Sequence, residues 1–161
     1  MSIALGLGLI PAERFVFPDL TVMENLLVGA RSLAGDEKRE RIESALDDYP
    51  ILRERASQFA GAMSGGQQRM VSLAMALMTR PRLLLLDEPS LGLAPAITEQ
   101  IMSRVRAPVD EGVSVVLVEQ SIPAALTVAD RVYVLRSGRI LLEESAADLK
   151  ARGRDNWWKL F

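Results

Sequence analysis

Four leucines at 83–86 run without a break into Asp87, Glu88 and Pro89. A run this short and this uniformly apolar does not alternate, so it predicts a strand covered on both faces rather than one with a wet side. Such strands belong to parallel sheets, which need helices as crossovers. The sequence downstream supplies them. Pro95 can open a helix in which Ile97, Ile101 and Val105 recur at steps of four, and "VSVVLV" at 113–118 is a second apolar strand rich in β-branched residues. Ser121 can cap a further helix with Ile122, Ala125, Leu126 and Ala129 on one face, and "RVYVLRSGRILLE" predicts a hairpin about Ser137 and Gly138. Upstream, "MSIALGLGLIP" predicts another buried strand followed by a loop that Pro11 opens; it lacks the basic start and small-residue cleavage site of a signal peptide.

Residues 18–80 have a different texture and predict helices. Asp19 or Thr21 can cap a segment from 22 to about 32, with Glu24 in its first turn. The stretch from Gly35 to Pro50 is charged, yet Ile42, Ala45 and Leu46 fall at i, i+3 and i+4, as on a helix with one apolar stripe and a solvated face. The expected fold class is therefore α/β: parallel strands flanked by helices, a helical part inserted at about 18–80, the C-terminal part of the α/β core at about 81–161, and a C-terminal β-hairpin.

Composition removes several chemistries. Among the 161 residues there is no cysteine and no histidine. Disulfides, cysteine or histidine metal ligands and Ser-His-Asp catalysis are excluded with them. A formal charge of −2 argues against a basic nucleic-acid face. With 49% hydrophobic residues the chain has enough apolar surface for a sizeable core, while no apolar run reaches the ~20 residues of a membrane span.

Three constellations can carry chemistry. In "MSGGQQRM", Ser64 suits a helix N-cap and Gly65 and Gly66 clear the first turn of side chains. A bare, glycine-led helix tip presents free N–H groups and a partial positive charge, which suits phosphate, although an ordinary capped turn accounts for the same residues. Met70, Leu73, Ala74, Leu77 and Met78 continue it as an apolar stripe. In "LLLLDEP", the strand delivers Asp87 and Glu88 to its carboxyl end, where ligands of parallel sheets collect. Asp87 can hold Mg²⁺, largely through water, and Glu88 can polarise an attacking water. In "VVLVEQS", Gln120 ends the second strand, and its amide can bond a phosphate oxygen or a water, or serve the loop structurally.

In combination these stretches resemble the ABC-type ATPases. Ser64, Gly65, Gly66 and Gln67 match the family's signature motif, with Met63 where leucine is usual; 83–87 match its Walker B strand, with Glu88 at the catalytic glutamate. Ser90, Leu91, Gly92 and Leu93 fall on the D-loop, and Gln120 on the switch position. "FPDLTVMENLLVGAR", "DEPSLGLAP" and "VEQS" are similar to the second ATPase subunit of branched-chain amino acid importers. The resemblance implies a partial P-loop NTPase core with ATP and Mg²⁺ as cofactors. It makes Glu88 and Gln120 catalytic, Asp87 a metal ligand, and Ser64, Gly65, Gly66, Gln67, Ser90 and Gly92 nucleotide contacts. It implies a second ABC ATPase subunit and membrane permease subunits as partners, a substrate-binding protein as an indirect one, no nucleic acid, and a cytoplasmic place on the inner face of the plasma membrane.

Two features depart from the family's pattern. No Walker A stretch, G-x-x-x-x-G-K-[ST], occurs in these residues. In addition, "IPAERFVFP" aligns with the Q-loop so that Ala12 stands at the usual Gln or Glu, with Glu13 one place later. In this family two subunits close head to tail, so the signature helix meets the partner's nucleotide while the strand-end carboxylates serve the chain's own. The expectation is a partial subunit that completes a partner's site better than its own, with an apolar sheet edge left open. A non-catalytic subunit donating its signature helix, and an ABC-type ATPase outside transport, are the alternatives. Trp157 and Trp158 are expected to pack on the domain or on a partner.

Overall fold

The computed structural model describes residues 6–12 and 16–153; Glu13, Trp157 and Trp158 lie outside them. The chain divides into two compact units, 1–120 and 121–161.

The first unit is built on a parallel sheet of three strands. β1 (Leu7–Ile10) and β3 (Ser114–Val118) flank β2 (Leu83–Asp87), the leucine run, with Leu9 in register with Leu85 and Asp87 with Val118. Between β1 and β2 the chain forms α1 (Val22–Gly29), α2 (Gly35–Asp48), α3 (Pro50–Glu54) and α4 (Gly65–Leu77). α5 (Pro95–Asp110) is the crossover from β2 to β3. Leu84 and Leu86 are fully buried and join Ile10, Leu73, Ala74, Ile101 and Val105 in one core, to which Leu26, Leu46 and Leu52 of the helical segment also belong.

The strands differ from expectation on one point. Leu84 and Leu86 lie on a face covered by helices, but the opposite face is only partly covered: Leu7 and Leu9 are 39% and 37% exposed, Val116 and Val118 51% and 54%. Parallel sheets are ordinarily covered on both faces, and among the described residues this second face stays partly open.

Local chemistry explains the helix boundaries. Thr21 Oγ1 accepts from the Glu24 amide at 3.2 Å while Glu24 Oε2 accepts from the Thr21 amide at 2.7 Å, a reciprocal cap that starts α1. The Thr21 amide and hydroxyl, both donating to Glu24 Oε2, favour the charged carboxylate and hold Glu24 below the ordinary carboxylate range. α1 crosses α4 closely because Gly29 has no side chain; a Cβ there would stand 2.9 Å from Met75 Cα. In α2, Ile42, Ala45 and Leu46 are the buried residues, as their spacing predicts, and Pro50, which ends that stretch, begins α3. Arg53 reaches back to Glu43 and Asp47 at 3.0 and 2.7 Å, both exposed pairs of small energetic weight.

Asn25 is a polar residue on the apolar face of α1 and is completely buried. Its Oδ1 accepts from the Phe17 amide at 2.7 Å, and its Nδ2 donates to the carbonyls of Phe17, Leu20 and Thr21. One side chain thus fastens the loop after β1 to the start of α1.

The second unit contains α6 (Ile122–Val128), β4 (Arg131–Arg136), β5 (Arg139–Ser145) and α7 (Ala146–Ala151). The Ser121 side chain caps α6, as expected, though Ala124 rather than Ala125 is buried beside Leu126. β4 and β5 form an antiparallel hairpin whose turn residues Ser137 and Gly138 have φ of 48° and 75°, the left-handed pair of a two-residue turn. Leu126, Ala146 and Leu149 are its core. Among the described residues no helix is long and apolar enough to cross a membrane.

Candidate functional site

The carboxyl end of the central strand carries the first group. Asp87 is the last residue of β2 and is half-buried. Glu88 follows with φ of 46°, a left-handed conformation that costs a non-glycine residue about 1 kcal/mol or more and persists only where surrounding contacts impose it. One such contact is the Glu88 amide, which donates to the Val118 carbonyl at 2.8 Å and ties the acidic pair to the end of β3. The chain then turns through Ser90 and Gly92 (φ 72°) to the start of α5.

Across from this turn, Glu119 accepts a hydrogen bond from the Ser90 amide at 2.9 Å. Glu119 thus adds a side-chain link between the loop after β2 and the loop after β3. Sequence reasoning placed the chemistry of that strand end on Gln120, its exposed neighbour, and gave Glu119 no role. The available signal was an ionisable residue directly after an apolar strand.

The α4 tip forms the second group. Ser64 Oγ accepts from the Gln67 amide at 3.4 Å and Gln67 Oε1 accepts from the Ser64 amide at 3.1 Å, so the two motif residues cap the helix for each other. Ser64 and Gly65 are exposed, while Gly66 is buried against α5. A Cβ on Gly66 would lie 2.4 Å from Ile97 Cγ2; one on Gly65 would find Leu93 Cδ2 at an ordinary 3.7 Å. The loop that begins at the acidic pair thus ends, at Leu93 and Ile97, against the helix tip. The amides of Gly65 and Gly66 belong to the first turn, whose N–H groups have no partner within a helix. An exposed tip with a bare residue at its apex fits an anion.

Arg69, one turn further along α4, is a second residue the sequence pattern did not single out. It is 9% exposed, and its guanidinium donates to the carbonyls of Pro11 and Ala12 at 3.4 and 3.2 Å. Burial lowers its pKa, and the charge of Glu119 opposes that shift. Ala12, at the Q-loop position, therefore contributes its carbonyl to the interior of the unit.

Among the described residues there is no group of three or more acidic, histidine or cysteine side chains that could hold a metal. Asp87 offers a single carboxylate beside Glu88, which suits an ion that keeps its waters and takes its other ligands from phosphate.

A parallel sheet with an acidic pair at the carboxyl end of its middle strand, beside a glycine-led helix, is the core of a P-loop-type ATPase. The family model described as ABC transporter matches residues 2–91. The chain belongs to the ABC transporter family. It is 47% identical over 144 residues to the high-affinity branched-chain amino acid transport ATP-binding protein BraG of Pseudomonas aeruginosa, covering 89% of this chain and 62% of that protein. It is 38% identical to the probable branched-chain amino acid transport ATP-binding protein LivF of Archaeoglobus fulgidus, covering 90% and 62%. Among solved structures it superposes with a TM-score of 0.74 and 27% identity on the dimeric ATP-binding cassette MJ0796 bound to ADP and Pi, over 87% of this chain and 62% of that one. The chain spans 62% of the length of both curated relatives.

Proposed function

We propose that this chain is part of an ATP-binding and ATP-hydrolysing subunit of an importer for branched-chain amino acids. The observation that carries the reading is the pairing of two half-sites at opposite ends of one loop: Asp87 and Glu88 at the β2 end, and the exposed Ser64–Gly65 tip near Leu93. The 47% identity to BraG supports the substrate class, and the dimeric relative bound to ADP and Pi supports assembly of two such subunits around nucleotide.

In this reading residues 18–80 form the helical lobe and 81–161 the C-terminal part of the core. Asp87 would hold Mg²⁺, which when bound would neutralise charge on the transferred phosphate. Glu88 orients a water and accepts its proton; Gln120 donates an amide hydrogen bond at the same edge. The Gly65 and Gly66 amides, with the Ser64 and Gln67 side chains, face the nucleotide of a partner subunit, and Ser90 and Gly92 line the passage between the two. Work on the membrane is done with permease subunits, on the cytoplasmic face, fed indirectly by a substrate-binding protein. No role for nucleic acid follows.

As 161 residues, the chain holds no Walker A lysine and amide nest, the main source of phosphate affinity in this class. Calorimetry with Mg²⁺ and ATP on the chain alone should give no micromolar binding and no turnover. Adding an ATPase subunit with its own Walker A should give turnover above that subunit's own. Micromolar affinity and hydrolysis by the chain alone would contradict its need for a partner's Walker A, while no stimulation of that partner would contradict the ATPase reading itself.

A further inference from the structure

We propose that the cleft between the α2–α3 junction, α4 and α5 is a binding site for a small apolar carboxylate that carries no ammonium group. The inference does not rest on the function proposed above, and the cleft contains none of the residues given a role there.

The cleft encloses about 470 Å³, within the range of about 300–1,000 Å³ that small-molecule sites occupy. Its lining is apolar at Ile51, Met70 and Ala107 and polar at Tyr49, Gln100 and Arg104. No aspartate or glutamate lines it. Arginines elsewhere in the chain meet carboxylates: Arg53 with Glu43 and Asp47, Arg106 with Asp110, Arg131 with Glu143, and Arg152 with Glu144. Arg104 does not. It is half-buried, and among the described residues its side chain makes no ion pair and no hydrogen bond. Its guanidinium lies over the Tyr49 ring, 5.2 Å from the centroid, a contact that supplies no acceptor for its five N–H donors.

Tyr49 is a second, independent observation. It is only 5% exposed, yet among the described residues its hydroxyl has no hydrogen-bond partner. A buried phenol ordinarily finds one, and this one belongs to the wall of the cleft. A carboxylate supplies what both groups lack: a counter-charge for Arg104 and an acceptor for the Tyr49 hydroxyl. The exposed Gln100 amide adds a further donor. Ile51, Met70 and Ala107 then favour a hydrocarbon tail, to which the flexible methionine can adapt. An ammonium group would face Arg104 with no acidic side chain in the lining to balance it. The cleft therefore prefers a plain acid to the amino acid of the same skeleton.

The test titrates the full, isotope-labelled chain with isocaproate and follows the backbone amide signals by NMR. The amides of Ile51, Met70 and Arg104 should shift and saturate with a Kd of about 1 mM or tighter, a fair affinity for so small a ligand. Isocaproamide has the same tail without the charge, and leucine adds an ammonium to the same skeleton. Each should bind the wild-type chain about tenfold more weakly than isocaproate. Arg104→Gln should weaken isocaproate about tenfold and leave isocaproamide within about twofold, since only the acid uses the cation. Ala107→Phe fills the cleft from an exposed position of α5 and should abolish both. Shifts that do not saturate, or that fall only outside these residues, overturn the proposal. So does leucine or isocaproamide binding as tightly as isocaproate, or an Arg104→Gln chain that binds isocaproate as the wild type does. Should either variant not fold, the comparison of the three ligands on the wild-type chain decides alone.

Discussion

A Cβ placed on Gly66 would stand 2.4 Å from Cγ2 of Ile97, whereas one on its neighbour Gly65 would touch nothing closer than 3.7 Å. The two glycines of the motif therefore have different reasons to be glycine. Gly66 lets α4 close on α5; Gly65 leaves the apex of the helix bare. Gly66→Ala should lower stability by roughly 1–3 kcal/mol through overpacking, and Gly65→Ala should change it by no more than about 1 kcal/mol. Urea unfolding of both variants checks this, with equal losses as the contrary outcome.

Asn25 makes four hydrogen bonds with the backbone between Phe17 and Thr21 from a fully buried position. Asn25→Leu keeps the branching of the side chain but strands the Phe17 amide, while the carbonyls of Phe17, Leu20 and Thr21 keep the backbone amides of Leu20, Ala60 and residue 25. The expected loss is about 1–3 kcal/mol, the cost of one unsatisfied buried group. The melting temperature of this variant against wild type measures it; a neutral substitution would mean that water takes over those bonds.

Tyr49 gives a pH dependence with a definite sign. Burial pushes its phenol up from 10.0 to about 12, against the downward pull of the Arg104 guanidinium, whose centre lies 5.2 Å from the ring centroid. The folded state thus keeps its proton where the unfolded chain has lost it. This contribution is intact below pH 10 and is lost as pH rises through about 12, a fall on the order of 2–3 kcal/mol at 1.36 kcal/mol per pKa unit. Tyr49→Phe has no phenol to ionise, so the difference in stability between wild type and variant, followed from pH 8.5 to 11.5 (about the range that brackets the ordinary tyrosine value), should shift in the variant's favour above pH 10. A constant difference would show that the hydroxyl is solvated.

Much of this was legible in the sequence, for reasons that can be named. The leucine run, the β-branched run at 113–118 and the Ser137-Gly138 turn depend on local periodicity and turn chemistry, and each stands where it was expected. The caps at Thr21, Ser64 and Ser121 are equally local. What the sequence hid is what depends on residues far apart. Arg69 meets Pro11 and Ala12 across 58 and 57 positions, and Glu119 meets Ser90 across 29. No spacing rule links such pairs. Asn25 was nearly readable, as a polar residue three places after Val22 on an apolar face, but its partners lie in a loop without a periodic pattern. The partly open face of the sheet was not legible, because four leucines look the same under one layer of helices or two.

The central claim is that the exposed α4 tip serves a partner's nucleotide. Ser64→Ala and Ser64→Arg remove the same cap, about 1 kcal/mol each, but only arginine obstructs the tip. The direct measurement is ATP turnover by a Walker A-bearing ATPase subunit mixed with each form of this chain. The account predicts that Ser64→Ala keeps most of the stimulation given by the wild-type chain and that Ser64→Arg, equally stable, gives none. Stimulation by Ser64→Arg equal to wild type would contradict it.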